Sequence, residues 1–285
     1  MKIAILGTGL MGAGLAEGFI KAGHETIVYN RTITKTESLV ALGAKAVGTP
    51  VEAIEAADAA ILVLSDGAGV RNVLLDDATK SALKGKKILN ASTTTPEEIE
   101  EIAQEVARQG GELAEMSILV GAEQLRSKQG QFIIACNEES EAFWTGILRN
   151  IGENIFYVGK IGNASKAESP MLFGSMFISA TVAYAAAVAL KLNIPQEIAA
   201  QQIAMFAPGA EYLLPNMFAR NYDQVMASVD SFKTVSNTAI SSAKSLGVPT
   251  KVLEDILAIF TSASERGFGT KDGSSILEVL LEPNK

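Results

Sequence analysis

The sequence of 285 residues has one cysteine, one histidine and one tryptophan, and its acidic side chains outnumber the basic ones to a formal net charge of −8. The single cysteine, Cys136, excludes an internal disulfide and fits a reducing cytoplasm. It stands in the apolar run Phe132-Ile-Ile-Ala-Cys136, which reads as a buried thiol rather than a nucleophile. His24 is far from it in sequence, so the usual ligand sets are missing and no metal site is expected. The acidic balance argues against a nucleic-acid surface. Pro170 to Leu190 contains no charged side chain and is long enough to span a bilayer. Its richness in Ala, Ser, Gly and Thr reads instead as a helix buried on nearly all sides, with a second subunit as one of its covers. No membrane partner is expected, and a homodimer or higher homo-oligomer is.

The opening stretch, Lys2-Ile-Ala-Ile-Leu-Gly-Thr-Gly-Leu-Met-Gly, reads as a buried strand, a tight turn and the start of a helix. In Gly7-Thr8-Gly9-Leu10-Met11-Gly12 the first glycine permits the turn, the second removes a Cβ that would block a pyrophosphate, and the third lets helix pack on strand. The helix runs from Leu10 to Lys21, Gly23 ends it, and a second strand, Thr26-Ile-Val-Tyr29, follows. About 20 residues past the glycines a site for NAD usually carries an acid for the ribose hydroxyl. This chain has Asn30-Arg31-Thr32 there, which does not repel a 2′-phosphate and offers it a guanidinium and a hydroxyl, so NADP(H) is expected over NAD(H).

Strand and helix then alternate. Thr49-Pro50-Val-Glu52 and Thr95-Pro96-Glu-Glu98 both read as N-cap, first-turn proline and reciprocal capping glutamate. Ala59 to Leu64 and Lys87 to Asn90 are apolar strands, and Leu64 and Ser65 are expected beside the cofactor at a strand's carboxyl end. Further strands are expected over 112–120, 131–136 and 154–158, with a helix over 138–150. From Ser165 onward the texture is helical, with breaks at Asn193, Pro208-Gly209, Pro215, Gly247-Val-Pro249 and Gly267. Ser169-Pro170 reads as an N-cap and first helical residue. The composition divides the chain into residues 1–160, an α/β dinucleotide-binding domain with a doubly wound parallel sheet, and residues 161–285, all helical. Arg126 and Lys128 are cations available to a carboxylate.

The glycine motif, Gly23-His24, Asn30-Arg31-Thr32, Asn90-Ala-Ser92-Thr93-Thr-Thr-Pro96 and Gly162-Asn-Ala-Ser-Lys166 together resemble the β-hydroxyacid dehydrogenase family over nearly the full length. The resemblance implies a Rossmann domain, a long interdomain helix, a C-terminal all-α domain, and an NADP-dependent oxidoreductase acting on a small aldehyde, keto acid or β-hydroxyacid. It implies that Lys166 is the acid and base, a role an ammonium fills by stabilising developing oxyanion charge and supplying a proton. It also places Thr93 and Lys233 near the cofactor, and Ser117, Gly121, Ala122 and Ser169 near the substrate.

Three departures stand out. Ser169-Pro170 replaces a pair of asparagines, the segment Ser117-Ile-Leu-Val-Gly121-Ala122 lacks the family's Ser-Gly-Gly, and Lys233 is not followed by aspartate. Imine reductases, which resemble the same family and share the Asn-Arg-Thr signature, supply the alternative of C=N reduction; they generally lack the lysine. A protein that binds NADP without turnover is the third reading.

Overall fold

The computed structural model describes residues 1–207 and 209–282. Its first strand sets the layering. Ile3 and Ile5 of β1 (Lys2–Leu6) point to one face, where they pack with Leu15, Phe19, Val28 and Trp144; Ala4 belongs with Leu6 to the opposite face, with Ile54, Val70, Ile99 and Ile102. Both faces are buried, as a sheet covered by helices on either side requires.

In chain order the strand is followed by α1 (Leu10–Lys21), β2 (Glu25–Tyr29), α2 (Glu37–Ala41), β3 (Lys45–Ala46), α3 (Pro50–Ala56), β4 (Ala59–Leu62), α4 (Gly67–Leu74), α5 (Asp77–Ala82), β5 (Lys87–Asn90) and α6 (Pro96–Arg108). Then come β6 (Glu112–Ile118), α7 (Ala122–Arg126), β7 (Gly130–Ala135), α8 (Glu138–Leu148) and β8 (Gly152–Tyr157). The sheet order is β3-β2-β1-β4-β5-β6-β7-β8. Every pairing is parallel except β6 with β7, so the expected parallel sheet carries one antiparallel step. Pairing aligns Tyr29, Leu6, Leu62 and Asn90, which end β2, β1, β4 and β5, in one row with Glu115 in the middle of β6.

Thr95 and Glu98 form the reciprocal cap expected at α6, at 3.2 and 2.9 Å. At α3 the reciprocity fails. Thr49 accepts the Glu52 N–H, but the Glu52 carboxylate turns to the Gly48 N–H at 2.8 Å instead of that of Thr49.

Two compact units emerge, Met1–Glu168 and Ser169–Lys285. The long helix α9 (Asn163–Lys191) belongs to both, and it begins seven residues before Pro170. Pro170 is therefore neither the first helical residue nor a break. It lies in the interior, where it has no N–H to offer the Lys166 carbonyl four residues back. The second unit continues with α10 (Gln196–Phe206), α11 (Ala210–Ala219), α12 (Val229–Ser245), α13 (Lys251–Ala263) and α14 (Ile276–Leu281). Pro215 also sits inside its helix, α11, while Pro208 falls outside the described residues. By length and composition α9 could cross a membrane. Met176, Val182, Ala183 and Ala186 of α9 are instead fully buried in the core of the second unit, with Leu214, Met217, Phe260 and Leu277.

Candidate active site

The glycine turn is built as its spacing demands. Gly7 has φ +101°, and a Cβ there would lie 2.1 Å from the Val63 carbonyl oxygen; at Gly12 it would lie 1.9 Å from that of Gly7. Both positions exclude a side chain for the protein's own sake. Gly9 is different, for a Cβ there meets no atom within 4 Å. The space kept clear lies at the start of α1, which has no side-chain cap and no acid in its first turn. Uncapped N–H groups, a positive dipole end and a missing side chain are what an approaching phosphate requires. The residues fit a dinucleotide.

Thr8 turns inward. It is buried, its N–H donates to Asn30 Oδ1 at 3.1 Å and its hydroxyl to the Lys35 carbonyl at 3.2 Å. Asn30 Nδ2 donates in turn to the Thr32 carbonyl, so Asn30 braces the glycine turn against the end of β2. Arg31 and Thr32 beyond it are exposed, as is Leu10, while Met11 is half-buried.

At the end of β4 the Leu64 N–H donates to Ser92 Oγ at 2.8 Å, and Ser65 is exposed. Ser92 and Asn90 hold each other through their side chains and backbones, which shapes the turn leaving Thr93 half-buried.

The start of α9 meets β6. Glu115, 2 % exposed, accepts the Ala164 N–H at 2.8 Å and the Ser165 hydroxyl at 2.7 Å, capping the helix from the middle of a strand. Burial pushes its carboxyl up, against the opposing pull of these hydrogen bonds. One turn later Glu168 Oε2 accepts the Ser117 hydroxyl at 2.8 Å. Burial raises the Glu168 carboxyl too, and the charge of Glu115 adds to the rise. Lys166 lies between them in sequence but faces elsewhere: its Nζ is 3.2 Å from Glu100 Oε1 on α6, and its side chain is about half exposed. Glu100 is itself fitted over Gly162, where a Cβ would fall 2.3 Å from the same oxygen. Ser169 follows Glu168 as a half-buried residue of α9.

Other candidates have partners of their own. Ala122 is buried against Gly14 of α1, where a Cβ would approach it to 3.0 Å, and Gly121 stands at the N-terminus of its short helix. Arg126, offered by the sequence as a carboxylate ligand, is paired with Glu17 at 3.0 Å. Lys233 on α12 has the acid its own sequence neighbour lacks, for Asp230 lies one turn back at 3.5 Å and Ser264 Oγ at 3.2 Å. Cys136 is buried and its thiol is pushed up to about 11, chiefly by burial. The sequence reading missed Glu115 and Glu168.

The strand order, the reversal between β1 and β4 and the uncapped glycine turn define a dinucleotide-binding fold of Rossmann type. Comparison with known proteins narrows the class. The sequence model of the NAD binding domain of 6-phosphogluconate dehydrogenase matches residues 2–159. The oxidoreductase YfjR of Bacillus subtilis is 29% identical over 98% of this chain and 100% of its own length. The cytokine-like nuclear factor N-PAC of Anopheles gambiae is 24% identical over 97% of this chain, which spans 50% of that protein. Among solved structures, a 3-hydroxyisobutyrate dehydrogenase of Salmonella typhimurium superimposes with TM-score 0.86 at 23% identity, covering 98% of this chain and 99% of the other. An imine reductase of Myxococcus stipitatus in complex with NADP+ gives 0.69 at 20%, covering 98% and 100%. Through residues 2–159 the chain belongs to the family of the NAD binding domain of 6-phosphogluconate dehydrogenase.

Proposed function

We propose that this protein is an NADP(H)-dependent oxidoreductase that moves a hydride between the nicotinamide and a small carbonyl compound or its alcohol. The observation that carries the reading is the space in front of α1, kept open by Gly9 for no purpose of the protein's own packing. Arg31 and Thr32, exposed beyond the Asn30 brace, support a 2′-phosphate over a bare ribose hydroxyl. The cofactor, when bound, supplies or accepts the hydride. The protein's part is to hold the pyrophosphate on the N–H groups of α1 and to manage a proton. Lys166 takes that second task, with Glu100 as its counter-ion. Reduction of a C=N bond is the second reading, supported by the likeness in fold to imine reductases.

A second copy of this chain is the partner we propose, with the second unit supplying the contact. Tyr184 and Val188 on α9 and Leu192 just past its end recur every four residues and are 53%, 55% and 66% exposed.

The experiment is NADPH consumption by the wild type and Lys166→Ala with semialdehydes, glyoxylate and cyclic imines. Turnover of a carbonyl compound, with a loss of at least about a hundredfold in the variant at unchanged NADPH affinity, is expected for a lost acid and base. Unaltered turnover in the variant removes Lys166 from the chemistry.

A further inference from the structure

We propose that Glu168 selects the substrate by holding a protonated nitrogen, so that the preferred compound is a small carbonyl or imine bearing a basic amine nitrogen and not one bearing a carboxylate. The proposal rests on the hydride-transfer reading above and adds the charge of the compound that is turned over.

The polarity of the cofactor fixes where a substrate must lie. On that reading Arg31 and Thr32, past the end of β2, would hold the ribose next to the adenine, and the start of α1 would hold the pyrophosphate. A dinucleotide held there and extended across the strand reversal would bring its nicotinamide half towards β4, β5 and β6. The rim of β6 is Ser117, and the side chain standing on it is Glu168, 2.8 Å away. Only one carboxylate oxygen is used in that bond. Glu168 Oε1 accepts no hydrogen bond among the described residues.

The charges around it are one-sided. Glu115 lies behind Glu168, close enough for its charge to act on it. The cation nearest to it in sequence, Lys166, is engaged by Glu100 at 3.2 Å. A substrate carboxylate set beside Glu168 meets the like charges of Glu168 and Glu115. An ammonium or iminium there compensates two carboxylates whose charged forms burial disfavours, and Oε1 accepts its N–H.

The test is calorimetric titration of the protein, in the presence of NADP+, with n-butylammonium and with butyrate, two probes of matched length and opposite charge. Butylammonium is expected to bind at least about tenfold more tightly, a difference that Glu168→Gln reduces to within about threefold and Glu168→Asp largely keeps. Thermal unfolding of both variants shows that they are folded. Equal binding of the two probes by the wild type, or a preference that survives in Glu168→Gln, overturns the proposal. A parallel fluorescence titration with NADPH separates the two levels. If NADPH does not bind, the hydride-transfer reading fails and this one with it; if it binds and butylammonium is not preferred, only the role of Glu168 fails.

Discussion

Replacing Gly9 and Gly12 by alanine, one at a time, separates what the glycine turn does for the fold from what it does for a ligand. At Gly12 the added Cβ would sit 1.9 Å from a carbonyl oxygen, where real Cβ atoms do not come closer than 3.0 Å, so the turn or α1 must move by about an ångström. Overpacking of that kind costs roughly 1–3 kcal/mol. For a unit of this size each kcal/mol lowers Tm by about 2–4 °C, so Gly12→Ala is expected to melt roughly 2–12 °C below the wild type. Gly9→Ala meets no atom, and the small loss of a glycine cap is set against a smaller unfolded-state entropy, so its Tm should stay within about 3 °C. The ligand effect runs the other way. NADPH at a hundred times its Kd stabilises a binding protein by about 2.7 kcal/mol, and if Gly9→Ala raises Kd a hundredfold only ~0.4 kcal/mol remains. Thermal scans with and without NADPH therefore show the wild type shifting by about 5–10 °C and Gly9→Ala hardly at all. A Gly9→Ala protein as destabilised as Gly12→Ala, or one shifted by NADPH as far as the wild type, refutes the reasoning.

Arg31→Ala should weaken NADPH at least about tenfold while leaving NADH within twofold, since only the first carries the phosphate the guanidinium would pair; equal losses in fluorescence titration count against that role. Glu115 is held neutral more readily in the folded chain than at its ordinary 4.5, so its contribution to stability is complete below that value and declines as pH rises through the folded value. Glu115→Gln cannot titrate, and the Tm advantage of the wild type over it should shrink between pH 4.5 and 7; an advantage growing with pH would contradict the assignment. Val188→Asp, placed on the exposed stripe of α9, should halve the mass seen by solution scattering at micromolar concentration, whereas a monomeric wild type dismisses the self-association reading.

The glycine turn was legible because each of its constraints is local: a left-handed φ at Gly7 and close backbone approaches made by residues only a few positions away or on the adjacent strand. The same holds for α1, found over Leu10–Lys21 as its periodicity indicates, and for the Thr95 cap. Strand direction is not carried by periodicity, and β7 accordingly turned out antiparallel to β6. The Ser169-Pro170 pair misled because proline favours a first helical turn, whereas here the helix starts at Asn163, capped by an acid 48 residues earlier in the chain. That acid, Glu115, gives no local sign of its role. It interrupts an apolar strand, where an acidic residue ordinarily faces water, and the helix that buries it is distant in sequence. Glu168 had a faint signal, since Ser165 and Glu168 share one face of a helix at a spacing of three while Lys166 cannot join them. Recognising it requires knowing that the helix is already under way at Ser165.

The Asn30 brace divides the labour at the end of β2. Its side chain keeps the glycine turn in place through Thr8, while no side-chain hydrogen bond from Arg31 or Thr32 is used by the fold among the described residues. The residues proposed to meet the outer end of a dinucleotide are thus free to change without disturbing the turn proposed to hold its middle. Preference for one nicotinamide cofactor over the other can drift through two exposed positions, in evolution or at the bench, while stability and the phosphate cradle are inherited unchanged.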